Sequence, residues 1–227
     1  MERYVRRWVF LRLLPMSRRR ARRAMLRTER VRKDALEQTI TVIVRQAGRS
    51  VDLGFDDNAV VLNLALFFLI ADRDIQAVKV DALTHPDAWQ RGLAARVMLL
   101  TLHELDLDKA AGRAFNDVVQ QKLSPELAKR VATAMRDVRR AQRRAVVEFS
   151  HLRDSTIAHR DRDALAQYRD ITAINALRVN EIASDFYAAT SGFLDVVPQI
   201  FRELGTPSRL ISQLMEGREK REAIGRV

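Results

Sequence analysis

From Leu127 to His159 no glycine or proline interrupts the chain, and positions 127, 131, 134, 138, 141, 145, 149, 152, 156 and 159 form one continuous series. Most of these residues are apolar or small, and steps of three and four place them on a single stripe of an α-helix. The helix this implies runs roughly nine turns and ends near Arg160. Its start is marked as well: Ser124 supplies a capping hydroxyl, Pro125 suits the first turn, and the Glu126 charge is favoured by the helix dipole. A chain that places so much of its length in one amphipathic helix must bury that stripe against other helices. Sheet architectures are thereby largely excluded.

The remaining sequence agrees. Eight Gly and five Pro in 227 residues leave little material for a loop-rich β protein. Leu36, Ile40, Ile43 and Ala47 predict a helix over 17–47. The β-branched run Thr39-Ile40-Thr41-Val42-Ile43-Val44, with Val51, Leu53 and Phe55 beyond Gly48, also fits a hairpin over 39–55. Helix is preferred because no other segment offers a strand to extend such a pair. Further helices are expected over 58–72, 74–83, 87–105 and 108–122, with a break at His85-Pro86-Asp87. Trp89, Leu93, Val97 and Leu100 mark the helix over 87–105. After the charged connector Arg160-Asp161-Arg162-Asp163, Ile171, Ile174, Leu177, Ile182 and Phe186 predict one long helix that stops before Gly192. Shorter helices follow at 193–204 and 207–222. The expected fold is all-α, a helical bundle containing a long antiparallel helix hairpin.

Charge is distributed unevenly. Residues 1–33 hold thirteen Arg or Lys against Glu2 and Glu29, which accounts for the whole net charge of +11. The other 194 residues carry 27 basic and 27 acidic side chains and balance. A basic first segment, 1–33, is thus set apart from a neutral body, 34–227, read as one domain. Such a segment attracts nucleic-acid phosphates or an anionic membrane surface. Tyr4, Trp8, Val9, Phe10, Leu11, Leu13 and Leu14 among its arginines suit a helix lying in a membrane interface. Arg12 interrupts the apolar run and no small-residue cleavage site follows, so it does not read as a secretory signal. A start at Met16 or Met25, leaving the preceding residues untranslated, is an equally open reading. The apolar run Ala59–Ala71 contains Asn63 and falls short of the ~20 residues a bilayer requires; no transmembrane segment is expected. The chain has no cysteine, which removes disulfides and thiolate metal sites and fits a reducing cytoplasm.

The chemistry-bearing segment is His151-Leu152-Arg153-Asp154-Ser155-Thr156-Ile157-Ala158-His159-Arg160-Asp161. Arginine offers phosphate a planar fork of donors, and histidine moves a proton near neutral pH. On a regular helix Arg153 and His159 lie about 120° out of register, so they converge on one phosphate only if the helix end loosens or a second protomer contributes its copy. The residues alone leave three uses open: a histidine favoured by a helix C-terminus with Asp161 or Asp163 capping the next helix, a noncatalytic ligand site, or catalysis.

The spacing of Arg153 and His159 in the context Ala158-His159-Arg160-Asp161 resembles the Arg-x(4–6)-His signature of the HEPN superfamily of helical domains, over residues 125–190 chiefly. The resemblance implies a HEPN-like core at about 87–190, a homodimer with two signatures facing each other, and metal-independent RNA cleavage in bacterial defence or toxin–antitoxin systems. An antitoxin protein is the implied partner, and no cofactor or metal is expected. Arg153 would neutralise the scissile phosphate, His159 would act on the 2′-hydroxyl or the leaving oxygen, and Asp154, where asparagine is common in the family, would orient one of them. Arg160, together with Arg139, Arg140 and Arg143 from the cluster that also holds Arg136 and Arg144, can track an RNA backbone toward the motif; the same cluster also reads as a solvated face offset by acids. The other function carried by the sequence is a noncatalytic helical interaction module whose basic segment contacts nucleic acid or a membrane surface.

Three further features carry no chemistry. His103-Glu104-Leu105-Asp106-Leu107 opens like a zinc-protease motif and lacks its second histidine. His151 is expected at the surface. Trp89/Phe115 and Phe149/Phe186 fall at core-facing spacings and are not read as base-stacking platforms.

Overall fold

Helix is the conformation of almost every described residue in the computed structural model, which describes residues 2–153 and 163–224, with side chains over 16–152 and 163–216. The described chain is an all-α helical bundle without a strand. Nine helices follow in order among these residues: α1 (Glu2–Leu53), α2 (Asp56–Thr84), α3 (Ala88–His103), α4 (Leu107–Asp117), α5 (Pro125–Arg153), α6 (Ala164–Ala173), α7 (Ala176–Leu194), α8 (Val197–Leu204) and α9 (Pro207–Ile224). The fold separates into two compact units. One comprises Met1–Leu36, Asp72–Glu104 and Arg144–Ser184, the other Glu37–Ala71, Leu105–Arg143 and Asp185–Val227.

The β-branched run 39–44 is helical and lies inside α1, so no hairpin forms at 39–55. Its inward stripe is Leu36, Ile40, Ile43, Ala47 and Ser50, while Val42 and Val44 point outward. The helix ends where Gly54 enters the left-handed region (φ 76°). There the Gly54 N–H donates to the Val51 carbonyl at 3.1 Å and the Phe55 N–H to the Ser50 carbonyl at 2.8 Å. This pair of bonds is a Schellman motif, which requires a glycine-like conformation at the turning residue. Asp56 and Asp57 then occupy the first turn of α2. That helix runs unbroken to Thr84, joining the two pieces expected at 58–72 and 74–83.

At His85-Pro86-Asp87 the expected break occurs. The Asp87 carboxylate accepts the Trp89 N–H at 3.1 Å, and the Arg91 guanidinium donates to the carbonyls of His85 and Pro86 at 2.7 and 3.0 Å. Helix α4 contains a non-helical residue, Gly112 (φ 60°, ψ −177°), and passes into a short π-helical segment, Val118–Lys122. Ser124 caps α5 by accepting the Leu127 N–H at 3.4 Å. Its own N–H and hydroxyl donate to the Glu203 carboxylate, each at 2.7 Å.

Two expectations beyond α5 are corrected. The long helix expected from 164 onward is two, α6 and α7. Ile174 is extended (φ −60°, ψ 120°), and the Asn175 side-chain carbonyl accepts the N–H groups of Leu177 and Arg178 at 3.1 and 3.2 Å. An asparagine in a capping position satisfies N–H groups that a new helix start leaves open. Gly192 does not stop α7, which continues through it to Leu194.

In the unit containing Phe68, Phe115 and Phe193, these three side chains are 0%, 2% and 0% exposed and form the aromatic centre of the core. The Phe193 ring meets Phe68 at 5.3 Å and Phe115 at 6.0 Å, both edge to face. In the other unit, α5 and the α6–α7 pair run antiparallel, as three ion pairs show. Arg144 meets Glu181 at 3.5 Å, Glu148 meets Arg178 at 2.6 Å and His151 meets Asp170 at 3.3 Å. As the numbers rise on α5 they fall on its partners. The long antiparallel hairpin is therefore present.

Candidate functional site

Arg153 is the last described residue of α5, in helical conformation, and its side chain lies outside the described part. Asp154, His159 and Arg160 also lie outside the described residues. What is described is the approach to this segment from both sides. On the α6 side, Asp163 takes the capping role: its carboxylate accepts the N–H groups of Leu165 and Ala166 at 2.9 and 3.0 Å. On the α5 side, the Arg178 guanidinium donates to both Glu148 oxygens at 2.6 and 2.7 Å and to Glu181 at 2.8 Å. The planar fork matches the carboxylate, which is why arginine suits such a bidentate pair. That bond holds the Glu148 carboxyl below the usual carboxylate range, and the same contacts raise the Arg178 guanidinium well above its ordinary value. His151 is 80% exposed beside Asp170, the surface position expected of it.

The arginine cluster on α5 is partly matched by acids. Arg139 lies 3.2 Å from Asp108, and Arg140 lies 3.5 Å from Asp137 one turn earlier. Arg143 is exposed. Arg136 and Arg139 border a hollow of about 260 Å³ beside Asn116, Gln120 and Met135. The basic first helix is likewise committed in part: Arg22 pairs with Asp81 at 2.7 Å, and Glu29 with Lys79 at 3.6 Å. Asp72, close to Glu29, Arg32 and Lys79, has its carboxyl raised above the ordinary range, first by burial and also by the Glu29 charge.

The spacing of Trp89, Leu93, Val97 and Leu100 marked α3, which forms as expected. The first three are 46%, 43% and 37% exposed, and the buried residues are Ala94, Ala95, Met98, Leu99 and Leu102. Trp89, expected at a core-facing position, is exposed. Its ring lies 6.3 Å from that of Tyr168, nearly parallel at 23°, and Tyr168 is itself 56% exposed. The Arg96 guanidinium sits 5.8 Å from the Trp89 ring centre. These aromatics border a groove of about 630 Å³ that also takes in Arg18, Arg91, Thr172 and Leu177. Gly92 of α3 lies beside α6, and a Cβ placed there would make an ordinary contact, 3.6 Å, with the Ile171 carbonyl oxygen. Phe115, Phe149 and Phe186 are buried as expected.

Among the described residues no group of three or more His, Asp or Glu is arranged to hold a metal ion, and no helix is long and apolar enough to cross a membrane. No family model, curated protein or solved structure matches the chain.

Proposed function

We propose that the chain is a metal-independent endoribonuclease of the HEPN type, a cytoplasmic homodimer acting in bacterial defence or a toxin–antitoxin pair. The observation that carries this reading is positional. Arg153 is the last described residue of α5, Asp154 and His159 follow it in sequence before α6, and α5 runs antiparallel to the α6–α7 pair in an all-α bundle. The sequence puts the motif at the end of the first helix of that hairpin.

The chemistry needs one anion-binding group and one proton-transfer group. Arg153 neutralises charge on the scissile phosphate as it builds up, and Asp154 fixes the orientation of its neighbours. His159 takes the 2′-hydroxyl proton or gives a proton to the leaving 5′-oxygen. Attack of the 2′-oxygen on phosphorus with departure of the 5′-oxygen leaves a cyclic phosphate on one fragment and a 5′-hydroxyl on the other. Arg139, Arg140, Arg143 and Arg160 would attract the RNA backbone, and an antitoxin would block access.

The test is RNA degradation by the purified chain in EDTA, compared with His159→Ala and Arg153→Ala. Each substitution is expected to slow cleavage about 10²-fold or more, with cyclic-phosphate ends on the wild-type products. Equal rates in all three proteins would eliminate this mechanism.

A further inference from the structure

The geometry points to a single-stranded nucleic-acid groove on the unit that contains α3 and α6, with a base stacked on the Trp89–Tyr168 pair and backbone phosphates held by Arg18 and Arg91. The groove is defined by described residues of α1, α2, α3, α6 and α7 and the segments that join them, and binding there is tested apart from cleavage.

Exposure is the first argument. A tryptophan and a tyrosine that expose 46% and 56% of their surface keep large flat apolar faces in water. Burial of such faces is favourable, and core packing does not account for leaving them out. The two rings lie nearly parallel, stacked with centroids 6.3 Å apart, and a base without a pairing partner can continue such a stack.

Charge is the second argument. Arg18 and Arg91 border the groove, and Arg96 lies against the Trp89 ring. The Arg91 guanidinium is fixed by two backbone carbonyls, which orient it without cancelling its charge. Arg96 has its Nε buried without a hydrogen-bond partner, and burial lowers its affinity for the proton. Among the described lining residues the only acid is Asp87, which uses its carboxylate to cap α3. A cation-rich hollow with exposed aromatic faces suits a ligand that is both polyanionic and aromatic. Duplexes hide their base faces and can use only the charge. Base stacking and phosphate attraction do not depend on the sugar, so RNA and DNA strands are expected to bind alike.

The test is fluorescence anisotropy with labelled twelve-nucleotide oligo-dA, oligo-rA, a twelve-base-pair duplex and labelled AMP, in EDTA, with folding checked by circular dichroism. The deoxy strand has no 2′-hydroxyl and survives any cleavage of the proposed kind, so failure of binding and failure of catalysis are read separately. Both single strands are expected to bind at least tenfold tighter than the duplex. Trp89→Ala and Tyr168→Ala should each weaken them about tenfold, with Trp89→Phe retaining most of the affinity. Arg18→Gln should lower the salt slope by about one phosphate contact. Tyr168→Leu replaces Tyr168→Ala if that variant fails to fold. Four outcomes would overturn the inference: duplex bound as tightly as strand, AMP bound as tightly as the oligomer, no effect of the aromatic substitutions, or loss of a dimer in Trp89→Ala, which would make the patch a self-association face.

Discussion

Phe193 makes the core of its unit open to a quantitative test. Its side chain is fully buried and meets two other buried rings edge to face, Phe68 at 5.3 Å and Phe115 at 6.0 Å. Truncating such a residue removes its transfer free energy and leaves a cavity that its neighbours fill only in part, at a cost of about 3–5 kcal/mol. Each edge-to-face pair accounts for about 0.5–1.5 kcal/mol of that. In a chain of this size 1 kcal/mol moves the melting temperature by about 2–4 °C, so Phe193→Ala should melt roughly 6–20 °C lower. Urea unfolding followed by circular dichroism gives the free energy, with an unchanged dependence on denaturant showing that the unfolding reaction is the same. Ile211→Ala in the same unit, where the side chain is 62% exposed, should change stability by no more than about 0.5 kcal/mol. A Phe68→Leu, Phe193→Leu double-mutant cycle should return a coupling of about 0.5–1.5 kcal/mol. A loss below about 1 kcal/mol for Phe193→Ala would refute the claim that the three rings are the centre of this core.

Two further outcomes follow from backbone and charge. Gly112 sits at φ 60°, ψ −177°, where an L side chain is strained even though nothing lies within 4 Å of a Cβ there. Gly112→Ala should therefore cost about 1–3 kcal/mol, while Gly48→Ala inside α1, also in open space, should stabilise by about 0.5–1 kcal/mol; matched thermal melts of the two variants decide this. Burial and the Glu29 charge raise the Asp72 carboxyl despite Arg32 and Lys79, so its ionised form is the costly one in the folded chain. Its favourable contribution is complete at acidic pH, below the ordinary carboxylate range, and is lost as pH rises through the raised value. Asp72→Asn should melt higher than wild type at neutral pH and lose that advantage on acidification; an advantage that grew on acidification would contradict the burial argument.

The helical class and the main helix starts were legible because the signals are local. Ser124-Pro125, Asp56-Asp57 and Asp163 act through hydrogen bonds and charges within one turn of themselves. The face of α3 was not legible. Trp89, Leu93 and Val97 alternate around the helix with Ala94, Ala95, Met98, Leu99 and Leu102, so α3 is apolar on nearly every side and spacing cannot choose the inward stripe. Burial went to the small and flexible residues, which let neighbouring helices approach. The break at Asn175 was concealed for a related reason: Ile171, Ile174 and Leu177 keep helical spacing across it, and only the amide at 175 marks the new start. Gly192 gave the opposite error, since a glycine in a packed helix costs only about 1 kcal/mol and α7 tolerates it. The candidate motif was legible as residue types and spacing, which is chemistry without geometry. The division into two units follows contacts distant in sequence that cut across α1, α2, α5 and α7, and local patterns do not encode them.

The two tryptophans of the chain, Trp8 and Trp89, both fall in the unit formed by Met1–Leu36, Asp72–Glu104 and Arg144–Ser184. The other unit contains none, so indole emission is a private optical channel for one half of the molecule, while ellipticity samples both. Recorded on the same sample, coincident curves mean that the halves lose structure in a single cooperative event, and displaced curves mean that each half has its own melting point.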